Sequence, residues 1–167
     1  MKIGLISDTH SYLDPKVFTY FEACEEIWHA GDIGSKKVLE TLSNFRPTFS
    51  VFGNIDDSVI RAAVPEDLLL HRSGKKVLIT HIAGRPPTYN SRVKKLIAKE
   101  RPDLLICGHS HILKVEMDKK NNLLFVNPGA AGRQGFHKIK TLIRFEILAE
   151  GFTNLEVIEL GPRGQLS

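Results

Sequence analysis

Cysteine is scarce in this chain of 167 residues: Cys24 and Cys107 stand alone among apolar neighbours and form no CxxC pair. That argues against a disulfide framework or a thiolate metal site and leaves two buried free thiols. Long apolar runs are missing too. Leu104 to Cys107 and Leu123 to Val126 are among the longest, far short of the ~20 residues a membrane-spanning helix needs. Met1-Lys2 leads directly into Ile3-Gly4-Leu5-Ile6 and reaches an acid at Asp8. Such a start is too short for the apolar core of a signal peptide, so a cytoplasmic location is expected and no membrane partner. No repeat, low-complexity tract or linker divides the sequence, and residues 1–167 are expected to form one domain. The net charge of +4 is modest, and its lysine pairs, such as Lys36-Lys37 and Lys119-Lys120, are scattered without interleaved aromatics. A nucleic-acid recognition surface is not indicated, and nucleic acid is admitted only as a substrate.

What is present is a sequence of short apolar runs alternating with helical patterns. Lys2 to Ser7, Ile27 to Ala30, Thr48 to Phe52, Lys76 to Thr80 and Leu104 to Cys107 read as strands. Between them, a helix opens at Asp14-Pro15 and carries Val17, Phe18, Phe21 and Cys24. Ser35 caps a second helix that ends before Pro47, Asp57 or Ser58 caps a short one through Ala63, and Asn90 to Arg101 forms a basic amphipathic helix. His71 falls at a turn. From Ile112 onward the strands Ile112 to Met117, Leu123 to Val126, Thr141 to Leu148 and Leu155 to Leu160 follow one another with turns between, which predicts an antiparallel meander. The fold class is therefore α/β with an α+β tail: two packed mixed sheets with helices outside.

The chemistry lies where the strands end. Five runs lead into Asp8-Thr9-His10, Gly31-Asp32, Gly53-Asn54, His81 and Gly108-His109-Ser110-His111. In open α/β sheets ligands sit outside the carboxyl ends of strands, which brings these residues to one edge. Intervals of 24, 22 and 27 residues separate Asp8, Asp32, Asn54 and His81, and each can hold a crossover helix that returns to the same sheet. The glycines before Asp32, Asn54 and His109 permit sharp turns and close backbone approach. Three carboxylate or amide oxygens and four imidazoles exceed one tetrahedral coordination sphere but suit two metal ions. The mixed set without thiolate favours Mn, Fe, Zn, Ni or Co over Ca or Mg.

These motifs, in this order, resemble the calcineurin-like metallophosphoesterases. The short length and the Asn127-Pro128-Gly129 turn are similar to the small prokaryotic phosphodiesterase branch. The resemblance implies a four-layer αββα sandwich with a two-metal centre at one end. One divalent ion, Mn foremost, would take Asp8, His10, Asp32 and His111, and the second Asp32, Asn54, His81 and His109, with Asp32 bridging. A hydroxide between the ions would attack phosphorus in line, which makes the implied activity phosphoester and above all phosphodiester hydrolysis on a small substrate. The resemblance makes Asp32, Asn54, His81 and His109 the expected catalytic set and places Asn54 at the substrate as well.

The chain departs from the family pattern where larger members place a histidine after Gly-Asn: Ile55 stands there, followed by Asp56 as partner of the centre or helix cap. Ile82-Ala83 replaces a frequent Gly-His after His81, and Ala130 a serine after Asn-Pro-Gly. Arg133 is a candidate clamp for a substrate phosphate. His29 reads as packing behind the centre, and His137 as a loop residue without a role. The competing function is a non-catalytic interaction scaffold on the same fold, which loss of ligand residues would betray; all seven are present. Association of identical copies is left open.

Overall fold

Strands that are apolar on both faces need cover on both sides, and the chain supplies it in four layers. The structure, a computed structural model, describes residues 1–164; the last three positions of the expected 1–167 domain lie outside the described residues. In chain order the first half runs β1 (Lys2–Ile6), α1 (Lys16–Tyr20), β2 (Glu26–His29), α2 (Lys36–Phe45), β3 (Thr48–Ser50), α3 (Ser58–Ala63) and β4 (Asp67–Arg72). The second runs β5 (Lys75–Thr80), α4 (Ser91–Glu100), β6 (Leu104–Ile106), β7 (Lys114–Asp118), β8 (Leu123–Asn127), β9 (Ile139–Leu148) and β10 (Gly151–Pro162). One sheet has the order β10-β9-β1-β2-β3 and the other β4-β5-β6-β8-β7. Each is built on three parallel strands with antiparallel additions, so both are mixed.

Alternation along the strands decides which layer each side chain joins. Ile3, Leu5 and Trp28 of the first sheet meet Val77, Ile79, Leu104, Ile106 and Val126 of the second in the central core. The first sheet's outer face packs Ile6, Ile27 and Leu142 against Val17, Val38, Leu42 and Ile60 on the helical side. Leu78, Leu105 and Phe125 on the second sheet's outer face pack against Val93 and Ile97 of α4. Each such side chain contributes about 1.5–3 kcal/mol on burial. An ion pair ties the sheets together: Arg72 Nε of β4 donates to both carboxylate oxygens of Glu26 in β2, at 2.9 and 3.0 Å. Both thiols are buried and free, and burial pushes Cys107 up to about 12. No helix among the described residues is long and apolar enough to cross a membrane.

Several expectations need correction. The helix expected from Asp14 to Cys24 ends at Tyr20, after a single β-branched and aromatic turn of weak helix propensity. Ser35 occupies the N-cap of α2 without a side-chain cap bond, whereas Asp57 caps α3 by accepting from Val59 and Ile60 N–H. The strand β4 was not anticipated, and His71 lies inside it opposite Lys76 rather than at the turn. The terminal strands do not form one meander. They are two hairpins in different sheets: β8 also pairs parallel with β6, and β9 pairs antiparallel with β1.

Candidate metal centre

The seven candidate residues converge, but from two sheets rather than one. β1, β2 and β3 deliver Asp8, His10, Asp32 and Asn54; β5 and β6 deliver His81, His109 and His111. The 27-residue interval between Asn54 and His81 does not return to its own sheet, because it holds α3 and the hairpin strand β4 and so crosses over. Backbone bonds hold the strand ends together within each sheet: Asp8 N–H donates to Gly31 O in the first, and Gly108 N–H to His81 O in the second, both at 3.0 Å.

Asp8, His10 and His111 form one group of potential ligands, and Asp32, His81 and His109 another, each with donor atoms within 4.8 Å of one another. Asp32 faces both. Its Oδ1 lies 3.2 Å from His81 Nε2 and its Oδ2 lies 3.6 Å from His10 Nε2. Asn54 Oδ1 joins the second group, 3.2 Å from His81 Nε2 and 2.9 Å from His109 Nδ1. Asp8 Oδ1 is 3.1 Å from His111 Nε2. Its carboxylate accepts from the Ser7 hydroxyl and the His109 N–H, so its orientation is fixed by neighbours in both sheets.

The backbone here is held in an uncommon conformation. Asp8, His10, Asp32, His109 and His111 all have positive φ, between 46° and 67°, at a cost of order 1–2 kcal/mol for each. Gly31 adopts φ +96°, and a Cβ there would lie 2.6 Å from His81 Nδ1. Gly53 and Gly108 serve differently. Neither needs positive φ, but a side chain at either would collide with the Asp32 or Asp8 carboxylate.

Burial opposes charge on both members of the Asp32–His81 pair, yet their mutual hydrogen bond and charge outweigh it. Asp32 is held below the ordinary carboxylate range, helped by the Ile55 N–H, and His81 above the ordinary imidazole value, helped by Asp8. His81 Nδ1–H donates to Ala30 O at 2.7 Å, which turns Nε2 towards the centre. The donor set fits divalent cations. His10 Nε2 is buried with no hydrogen-bond partner, and the Nε2 atoms of His81 and His111 face the Asp32 and Asp8 carboxylates at 3.2 and 3.1 Å. An ion bound among them would satisfy all of these atoms.

The surrounding residues sort out the remaining expectations. Asp56 is a partner of the centre and not the helix cap: it accepts N–H from Ile33, Gly34 and Gly53 and so ties the Asp32 and Asn54 loops together. His29 is wholly buried, accepts from Gly31 N–H through Nδ1 and contacts Thr9 Oγ1 through Nε2. Burial pushes it down to about 4. Arg133 stacks its guanidinium 3.8 Å over the ring of Tyr12, two residues beyond His10. Two contributors escaped the sequence. Asn127 Nδ2 donates to Gly108 O and Ser110 Oγ and so braces the loop between His109 and His111. His137 touches His111 itself, at 3.3 Å between Nδ1 atoms. Only the Asn-Pro-Gly turn pointed towards the first, and nothing in the spacing pointed to the second. Beside His109 opens a cavity of about 460 Å³, lined in part by Ile82, Ala83, Ile112, Phe125 and Arg85.

The family model of the calcineurin-like phosphoesterase superfamily domain matches residues 1–150. A probable metallophosphoesterase of Methanocaldococcus jannaschii is 32% identical over 136 residues, covering 78% of this chain and 68% of that protein. Among solved structures, an archaeal phosphodiesterase superposes with a TM-score of 0.77 at 23% identity, covering 96% of this chain and all (100%) of the other. A Vps29 point mutant from Entamoeba histolytica superposes with a TM-score of 0.73 at 18% identity, with the same coverage of 96% and 100%. The structural matches establish the fold, the four-layer sandwich, and the matches of family model and sequence establish descent: the chain belongs to the calcineurin-like phosphoesterase superfamily.

Proposed function

We propose that the protein is a divalent-metal-dependent phosphodiesterase with two ions per chain. Asp8, His10, Asp32 and His111 hold one, and Asp32, Asn54, His81 and His109 the other. The observation that carries this reading is the placement of Asp32, whose two oxygens face His81 in one group and His10 in the other. Manganese is the foremost candidate, with Ni, Fe, Co or Zn compatible with the same donors. Ions bound there would supply a nucleophile from water and neutralise charge on phosphoryl oxygens.

The chain's own residues orient and exclude. Ser7 and the His109 N–H fix the Asp8 carboxylate, the Ile55 N–H fixes Asp32, and Ala30 O fixes the His81 ring. Asn54, whose Oδ1 lies beside His81 Nε2 and His109 Nδ1, would help hold the second ion and meet the substrate, and Arg133, stacked on Tyr12 beside the His10 turn, would add positive charge for it. Preference for diesters rests on the cavity beside His109. A diester has a second organic group to accommodate, and Ile82, Ala83 and Ile112 give it an apolar wall. Two free buried thiols accord with a reducing, cytoplasmic setting. The alternative, a scaffold with a vestigial site, is disfavoured because all seven donors are present and converge.

The test is direct. Protein stripped by chelation and reloaded with Mn²⁺ should bind two ions, and should hydrolyse bis(4-nitrophenyl) phosphate faster than 4-nitrophenyl phosphate. Faster cleavage of the monoester refutes diester preference; no metal uptake and no hydrolysis favours the scaffold.

A further inference from the structure

His137 lies on the loop that follows the Asn-Pro-Gly turn, a segment fastened to the centre by its backbone. Ala131 N–H donates to Ser7 O and Gly132 N–H to Asp8 O, each at 3.0 Å. Arg163 at the end of β10 clamps the same loop, donating to Gly135 O. Gly135 has φ +120°, and any Cβ there would run into the His111 ring, so the loop lies directly against that ligand.

The hydrogen bonds along this seam have a direction. His137 Nε2 lies 2.9 Å from Gly132 O, a carbonyl that can only accept. A neutral His137 ring therefore carries its proton on Nε2 and presents a bare Nδ1. That Nδ1 lies 3.3 Å from His111 Nδ1, and a bond between them requires the proton on His111. His111 Nε2 is then bare as well, with its lone pair directed to the position shared with Asp8 Oδ1, 3.1 Å away. Two acceptors that close together invite a cation between them.

We propose that His137 is a positioning residue: it fixes His111 as the Nδ1–H tautomer and so presents Nε2 as a metal ligand. The proposal rests on the two-metal reading above. Outer partners of this kind, usually a carboxylate or carbonyl, typically change metal affinity 10–100-fold when removed. Here a second imidazole takes that place, made an acceptor by its own bond to Gly132.

The two ends of the His137 ring can be tested separately. Asn places its oxygen near the Nδ1 position and keeps an acceptor for His111; Gln places its amide nitrogen near Nε2 and keeps only the donor to Gly132. Calorimetric titration of chelated full-length protein with Mn²⁺ should show two ions for the wild type. In His137→Gln one of them should weaken roughly 10–100-fold while the other is unchanged, and His137→Asn should stay within about threefold of wild type. If His137 only anchors the loop, the order reverses and the proposal falls. A second measurement needs no variant: ¹⁵N shifts of the His111 ring in the chelated wild type should report the Nδ1–H tautomer, and an Nε2–H tautomer overturns the proposal. A wild type that binds no Mn²⁺ overturns the two-metal reading along with it, whereas two ions bound and an unchanged His137→Gln overturns this inference alone.

Discussion

Asp56 shows how little a residue's type reveals until its partners are known. A carboxylate one position beyond Ile55 looks available to replace a missing general acid, but its oxygens are taken up by three backbone N–H groups. With both oxygens committed to backbone donors, the carboxylate ties loops together and is not aimed at a leaving oxygen. Ile55 is 46% exposed beside the centre and offers only an alkyl group there, while its N–H is bound to Asp32. General acid assistance is typically worth about 10²–10⁴-fold, and its absence shifts the burden to the leaving group. Rates across aryl phosphodiesters of graded leaving-group pKa should therefore fall steeply as that pKa rises; a flat dependence with chemistry rate-limiting would mean another side chain supplies the proton. Asp56→Asn should leave that dependence unchanged while lowering stability by about 1–3 kcal/mol, because one acceptor becomes a donor facing other donors. Asp32→Ala withdraws a carboxylate from both groups at once, so elemental analysis should find both ions weakened rather than one.

At the scale of elements, legibility followed burial. β1, β5 and β6 are covered on both faces and carry apolar runs (residues 3–6, 77–79 and 104–106), and β2 contributes Ile27-Trp28 between Glu26 and His29, which is why the strand-end residues were visible in the sequence. β4 lies at a sheet edge and is largely half-buried, and its Leu68-Leu69-Leu70 run is flanked by charged and polar residues with no site residue at its end to mark it. Its turn did carry a signal: Ser73-Gly74 between two strands, both at positive φ, is the two-residue hairpin connection that suits the strand twist. The assignment of the last two hairpins to different sheets depends on the long-range pairing of β8 with β6, which local pattern does not encode. Lys140 is a similar case. It lies in β9, a lysine among apolar neighbours, and is almost wholly buried with its Nζ 2.7 Å from the equally buried Asp14. Burial alone would raise Asp14, but the Lys140 hydrogen bond, together with the Lys16 N–H, lowers it instead. Lys140→Met should cost about 3–5 kcal/mol by leaving Asp14 buried and unpaired, and adding Asp14→Leu should recover much of it. The pair's contribution is present above the ordinary carboxylate pKa and is lost as pH falls through the depressed one. Denaturant midpoints of wild type and double variant should accordingly converge at acid pH.

Across the whole molecule, histidines of opposite tendency share one centre. In the metal-free protein His81 is held above its ordinary value, so its contribution is fully present below about 6.5 and fades as pH rises. His29 runs the other way. Burial pushes it down to about 4, so its contribution is present above about 6.5 and is lost as pH falls towards 4. His137 is lowered also, first by burial. Bound metal removes the opposition, because a coordinated imidazole must be neutral and His81 then gives up its proton. Metal affinity should thus fall with acidification and binding should release protons, measurable as a buffer-dependent heat. The stability of loaded protein should also decline more steeply between pH 7.5 and 5.5 than that of chelated protein. His29 can be isolated from the rest. Its bonds to Gly31 N–H and Thr9 hold the turn that carries Asp32, yet it belongs to neither ligand group. A depression from 6.5 to about 4 corresponds to stability on the order of 3 kcal/mol, lost over that interval at up to about 1.4 kcal/mol per pH unit. Chelated His29→Gln should be less stable at pH 7 and show a shallower decline between pH 6.5 and 4 than chelated wild type. Equal slopes in the two proteins would mean that His29 takes up its proton in the folded state as readily as in the unfolded chain.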